Sequence, residues 1–275
     1  MSVIAILCIL AIVLSITVFM VWSSASIRSG VYVRAFCREK TDRKVVYLTF
    51  DDGPHPPETE RVLDVLREHG ARATFFLIGS KVSGNEALLR RMLEEGHALG
   101  LHTYNHAGTF PLLSFDKMLA DVNEGKRAVE SVAGKKISLF RPPFGVTNPT
   151  IAKVIRTLGL QTVGWDVRSF DTMFCKSSEH SCKQSGYSCN QSGHSCKSSE
   201  HSCKQSGHDW YVPVVERIMK QVRPGSVILL HDRLDGASEL ISLLLDSLAA
   251  SGYDFTTALP NTLISSSDSS ETNLS

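Results

Sequence analysis

Strand-like and helix-like stretches alternate along this chain, and the strands are apolar on both faces. Runs near 45–50, 73–78, 97–101, 137–140, 160–165, 226–230 and 254–258 read as seven strands. None alternates cleanly between apolar and polar residues. Both faces must therefore be covered, as in a parallel sheet wrapped by helices. The helical patterns between them carry end signals. Pro57 opens one and Gly70 closes it; Asn85 to Glu95 stops at Gly96; Ser114 can cap a run towards Ala133. Asn148-Pro149 opens another that Gly159 closes, a periodic run reaches Val222 from Trp210, and Ser238 to Ala250 ends before Gly252.

Polar motifs collect at one end of these strands. KVVYLTF runs into Asp51-Asp52-Gly53-Pro54, HALGL into His102-Thr-Tyr-Asn-His106, ISLF into Arg141-Pro142-Pro143-Phe144-Gly145, and SVILL into His231-Asp232. In strand/helix alternating proteins, that end is where ligands bind and chemistry occurs. Seven such strands suggest a barrel with one unit fewer than the eight-fold type. A net charge of +1 and 43% hydrophobic content describe ordinary globular material, with no nucleic-acid footprint.

Asp52, His102 and His106 together make a metal shell: one carboxylate and two neutral imidazoles, with positions left for water and substrate. A His pair alone reads equally well as surface or cap residues; convergence with an acid from a neighbouring strand is what marks a site. Asp51 cannot point the same way as Asp52 along an extended segment, so one acid can bind metal while the other serves as general base. Arg141 is the natural partner for Asp51, holding it ionised and oriented. Pro142 and Pro143 lack N–H groups, so Phe144 supplies the first amide donor after the arginine, as an oxyanion hole requires. His231 suits a general acid, and Asp171 in Arg168-Ser-Phe-Asp171 is the carboxylate that would keep it charged. Asp232 is expected to point away.

TFDDGP, HTYNH, RPPFG, the RSFD segment and ILLHD, in this order, resemble the polysaccharide deacetylase family, the NodB-homology or carbohydrate esterase 4 family, over about residues 44 to 260. The resemblance implies a distorted (β/α)7 barrel and metal-dependent hydrolysis of acetyl groups from sugars. Asp51 matches the family's catalytic base, and Asp52, His102 and His106 match its metal ligands. Arg141 matches the residue orienting the base, the Phe144 amide the oxyanion donor, Leu229 the lining of the acetate pocket, His231 the acid and Asp171 the acid's partner. In one departure, Thr172 follows Asp171 where the family often has a Trp; Asp209-Trp210 comes only after a repeat tract.

Three segments lie outside this pattern. Ser2 to Trp22 form an uncharged apolar run long enough to span a bilayer. With no basic region before it and no A-x-A site after it, residues 1–25 read as a membrane anchor, with a cleaved signal segment as the alternative. A basic linker over 26–43 carries Arg28, Arg34, Arg38, Lys40 and Arg43, and Lys44 follows it. That flank favours a cytoplasmic domain by the positive-inside tendency, whereas a cell-surface substrate demands an extracytoplasmic one; the two expectations conflict. Within the catalytic domain, 44–262, residues 175–208 repeat with a period of seven: Cys175, Cys182, Cys189, Cys196 and Cys203, with His180, His194, His201 and His208 five residues behind four of them. No unit offers the large aliphatic pair of a coiled coil. The composition reads as a disordered duplicated loop, with a soft-metal or redox tract as its alternative. The Ser-rich tail, 263–275, is expected to be frayed.

The sequence thus predicts a membrane-anchored deacetylase of N-acetylglucosamine units in a cell-surface glycan. It is expected to use one divalent metal, zinc with cobalt or manganese as alternatives, and no obligatory protein partner. An O-acetyl esterase and a non-catalytic glycan- or metal-binding surface protein are the rival expectations.

Overall fold

The structure, a computed structural model, describes residues 2–173 and 210–260. The heptad repeats and the Ser-rich tail lie outside the described residues. Within them, β1 (Val46–Gly53), β2 (Ala73–Leu77), β3 (Ala98–Leu101), β4 (Leu139–Phe140), β5 (Gln161–Thr162), β6 (Val167–Arg168) and β7 (Ser226–His231) form one sheet in the order β5-β4-β3-β2-β1-β7-β6. Every strand pair is parallel. The curled sheet is the open, distorted barrel expected, with β5 and β6 as its two edges. The seam between them is covered by the chain after the first helix. Phe36 bridges Val163 beside β5, and Arg38 bridges Ser226 at the start of β7.

Helices cover the outer face. They are α2 (Glu58–Glu68), α3 (Glu86–Glu94), α4 (Phe115–Ala133), α5 (Pro149–Leu158), α6 (Tyr211–Gln221) and α7 (Ala237–Ala250). Their ends follow the sequence signals. Asn148 caps α5 by accepting the Ile151 N–H at 2.8 Å. Ser114 sits at the N-cap of α4 with extended backbone, but its side chain makes no capping bond. Strand alternation sorts the core. Leu48, Phe50 and Phe75 face the helices, with the Phe50 and Phe75 rings stacked at 5.0 Å. Tyr47, Phe76, Leu139, Val163 and Val227 fill the barrel interior. Thr49 and Asp51 stand in phase with Tyr47, so β1 delivers its functional acid to the inside.

Two sequence expectations are corrected. The run 254–258 is no strand: Asp254 makes one isolated bridge to Val45. The seventh strand is instead Val167–Arg168, running into the Arg168-to-Asp171 motif and too short for an apolar pattern to register.

The first helix, α1 (Val3–Ala25), is one helix long and apolar enough to cross a membrane, and its faces are almost wholly uncovered. Only its last turn touches the barrel. Ser23 and, just beyond the helix, Ile27 are buried.

Candidate active site

Asp51, at the end of β1, is held inside the barrel. It accepts a hydrogen bond from Arg141 Nη1 at 2.7 Å. Arg141 is fully buried and every arm of its guanidinium is used: Nη1 also donates to Thr49 Oγ1, Nη2 to the Gly164 carbonyl and Nε to the Val163 carbonyl. Its plane lies 4.2 Å from the Phe76 ring centre. Burial pulls the Arg141 pKa down and Asp51 pushes back. The arginine is thus the polar filling of the barrel, and its orientation fixes that of Asp51.

Asp52 follows with φ 73°, and the β1–β2 register shifts between Asp51 and Gly53. This bulge corrects the expectation that adjacent acids must diverge. His102 Nε2 is 3.9 Å from Asp51 Oδ2 and 3.7 Å from Asp52 Oδ1, so both carboxylates face one imidazole. His102 is oriented from behind, its Nδ1–H donating to the Arg141 carbonyl at 2.7 Å. That bond leaves the Nε2 lone pair aimed into the site. His106 Nε2 lies 3.5 Å from the same Asp52 oxygen. The ligating atoms of Asp52, His102 and His106 all fall within 4.8 Å of one another. They are too far apart for good hydrogen bonds yet close enough to share one ion, and an oxygen with two imidazoles is an ordinary zinc donor set. The residues therefore fit a divalent metal. Burial raises the Asp52 pKa, but His102, His231, His106 and Arg233 outweigh it and hold the group below the usual carboxylate range.

His231, at the end of β7, stands opposite Asp51 in register. Its Nδ1–H donates to Asp171 Oδ1 at 2.8 Å, and its backbone N–H donates to Asp171 Oδ2 at 2.9 Å. Asp171 is fully buried. Burial alone would lower the His231 pKa; Asp171 outweighs it, and the net shift is upward. Asp232 does point away, as expected. Thr59 donates to it, its Oδ1 is a buried oxygen without a partner, and burial pushes its pKa up to about 6.

The Arg141-to-Gly145 loop closes one side of the cleft. Phe144 has φ 59° and an exposed ring whose centre is 5.2 Å from that of His106. Gly145 and Val146 direct their N–H groups back to the Pro142 and Pro143 carbonyls. Leu229 is buried in β7, level with Thr49. Eight of the nine residues singled out in the sequence thus lie on the strand ends or loops of one barrel face, and Leu229 lies within β7, two residues before His231. Among the described residues, the non-glycine residues with positive φ are Asp52, Thr103, His106, Phe144 and Phe170, each inside or beside one of these motifs. Such strain, about 1–3 kcal/mol per residue, is tolerated where the surroundings over-determine it.

Sequence reasoning missed two residues. Arg233 Nε donates to Asp52 Oδ2 at 2.9 Å, leaving Oδ1 turned to the imidazoles. Lys81 Nζ donates to the Asp52 carbonyl at 2.7 Å. Arg233, one residue beyond His231-Asp232, could have been found by its proximity to that motif. Lys81 carries no such signal.

Comparisons with known proteins agree with this geometry. Residues 38–163 match the family model for polysaccharide deacetylase. A peptidoglycan-N-acetylglucosamine deacetylase of Bacillus cereus is 33% identical over 223 residues, covering 78% of this chain and 87% of that protein. A chitooligosaccharide deacetylase of Azorhizobium caulinodans is 29% identical over 192 residues, covering 68% and 73%. The solved structure of a family 4 carbohydrate esterase from Streptomyces lividans, in complex with acetate, matches with a TM-score of 0.59 at 28% identity, covering 78% of this chain and 92% of that one.

Proposed function

The chain belongs to the polysaccharide deacetylase family, hydrolases of carbon–nitrogen bonds, and on that premise we propose that it removes N-acetyl groups from a glycan built of N-acetylglucosamine units. The observation that carries the reading is the convergence of Asp52, His102 and His106 between a separately held acid, Asp51, and a separately held imidazole, His231.

Asp52, His102 and His106 would hold one divalent ion, zinc by its donor set. When bound, that ion supplies Lewis-acid polarisation of the acetyl carbonyl and makes water a nucleophile near neutral pH. The remaining work belongs to the chain. Asp51, held in place by Arg141, takes the proton of the attacking water as the water oxygen bonds to the carbonyl carbon. The Phe144 N–H donates to the carbonyl oxygen as negative charge develops there. His231, kept protonated by Asp171, gives its proton to the nitrogen as the carbon–nitrogen bond breaks, leaving acetate and a free amine. Leu229 lines the space taken by the acetyl methyl. We further assign α1 as a membrane anchor and place the catalytic domain outside the cytoplasm, where such glycans lie.

Metal dependence is the direct test. Acetate release from N-acetylchitooligosaccharides by the full chain should vanish on chelation and return with zinc or cobalt. Full activity in protein verified to be metal-free would sink the mechanism.

A further inference from the structure

The anchor helix is bonded to the barrel at the catalytic face itself. Ser24, in the last turn of α1, accepts the Thr147 N–H at 2.9 Å, and its hydroxyl donates back to the Thr147 carbonyl at 2.8 Å. Thr147 lies three residues beyond Phe144, in the loop between β4 and α5. Three residues span at most about 11 Å, so the foot of the helix stands within roughly a nanometre of the cleft rim. The following chain gives no slack. Ser29 donates to the Ser23 carbonyl, Tyr32 closes onto Met20 and Ser23, and Ile27 is buried in contact with the position of Gly164. Residues 36–39 are then bonded into the seam of the sheet.

The helix also leaves no spare length. Its 23 residues extend about 34 Å at 1.5 Å each, against a hydrocarbon layer of about 30 Å. A bilayer spanned by this helix would have Ser23 and Ser24 at its surface, with Trp22 and Tyr32 as the aromatic residues favoured at that depth. A second, independent observation marks the same surface. Leu112, in the loop between β3 and α4, is 86% exposed, the most exposed large apolar side chain of the barrel. The loop that carries it is tied to the residue after Thr147, since Asn148 donates to the Pro111 carbonyl at 2.7 Å.

We propose that the foot of α1 and Leu112 seat the cleft rim on the bilayer surface, so that the enzyme takes acetamido sugars borne on a membrane lipid rather than polymer lying beyond the headgroups. The proposal rests on the deacetylase reading for its chemistry and on the bonded anchor for its geometry. A barrel joined to its anchor at the opposite end of the strands, or by a loose tether, would present the cleft a barrel height or more away. Here, surface confinement brings lipid-borne substrate to the rim at high effective concentration.

The test uses the full chain in lipid vesicles with a genetically encoded fluorescent amino acid at Leu112 or at Glu68, which lies at the opposite end of the barrel. Headgroup-level quenchers should quench the probe at Leu112 and spare the one at Glu68. Diacetylchitobiose attached to a dialkylglycerol in the same vesicles should be deacetylated on the order of ten-fold faster than free diacetylchitobiose at equal bulk concentration. Leu112→Asp should reduce that ratio several-fold while leaving turnover of the free sugar unchanged. Equal quenching at the two positions, or a ratio near one in an enzyme active on the free sugar, would overturn the proposal. Absence of turnover on both sugars, with Leu112 still quenched, would overturn the deacetylase reading and leave the membrane seating standing.

Discussion

Asp51 and His231 are two proton carriers held by partners of opposite charge. Asp51 meets a fully buried guanidinium at 2.7 Å, whereas His231 meets a fully buried carboxylate at 2.8 Å. Separate partners let one group be a base while the other stays an acid, with Asp52 between them. Asp51→Asn keeps an oxygen for Arg141 but cannot accept a proton. Metal content should stay at one equivalent while turnover falls about 10²–10⁴-fold; wild-type turnover would remove Asp51 from the mechanism. Asp171→Asn tests the other half. The acid works only while protonated, so activity should fall as pH rises through the His231 pKa, which Asp171 holds above its ordinary value. Removing the anion leaves burial to dominate, and burial lowers an imidazole pKa. The alkaline limb of the kcat profile should move to lower pH, and an unmoved limb would assign it to another group. These residue identities were legible in the sequence because each follows an apolar run at the same strand end. The Arg233 contact to Asp52 was not, because it joins the β7–α7 loop to the end of β1 and depends on how that loop turns.

At the scale of elements, loops decide what the strands present. β1 reads as regular strand in sequence, yet its last residues bulge, and Asp52 turns over at φ 73° to face His102 alongside Asp51. No periodicity argument could reveal this, because alternation assumes the extended backbone that the bulge abandons. Helix ends were easier. Pro57, Gly70, Asn148 and Gly159 act through local backbone preferences and lie where those preferences predict. The strand Val167–Arg168 was missed because two paired residues leave no pattern. The Arg141-to-Gly145 loop gives the sharpest test at this scale. Gly145 has φ +70°, and a Cβ there would stand 2.5 Å from the Trp165 ring, which also neighbours Arg141 and Arg168. Gly145→Ala should cost about 1–3 kcal/mol of stability, read by denaturant unfolding. It should lower kcat while leaving the metal bound, because Asp52, His102 and His106 lie on other elements. Unchanged stability and rate would show the loop to be free to shift.

Across the whole molecule, the described contacts that build the site join residues before the heptad tract to residues after it. Asp171, just before it, is tied to His231; Trp210, just after it, abuts Gly236 at the start of α7, and α6 packs along α7. Both flanks are thus fixed by residues on either side of the repeats. The alternation of strands and helices made the parallel sheet legible. The way residues 36–39 cover the seam was not, since no motif announces a segment that pairs by isolated bridges. The repeats were legible as repeats, but a period of seven without aliphatic pairs does not itself define a structure. Loop closure costs only about 0.6 kcal/mol per doubling of length, so shortening this connection should perturb the barrel little. Deleting Cys175 through His208 joins Phe174 to Asp209. The shortened chain should unfold cooperatively and keep one metal per chain. Its turnover of short N-acetylchitooligosaccharides should stay within a few-fold of the full chain. If the deletion stripped the metal or abolished cooperative unfolding, the tract would be part of the structure that holds Asp171 against His231.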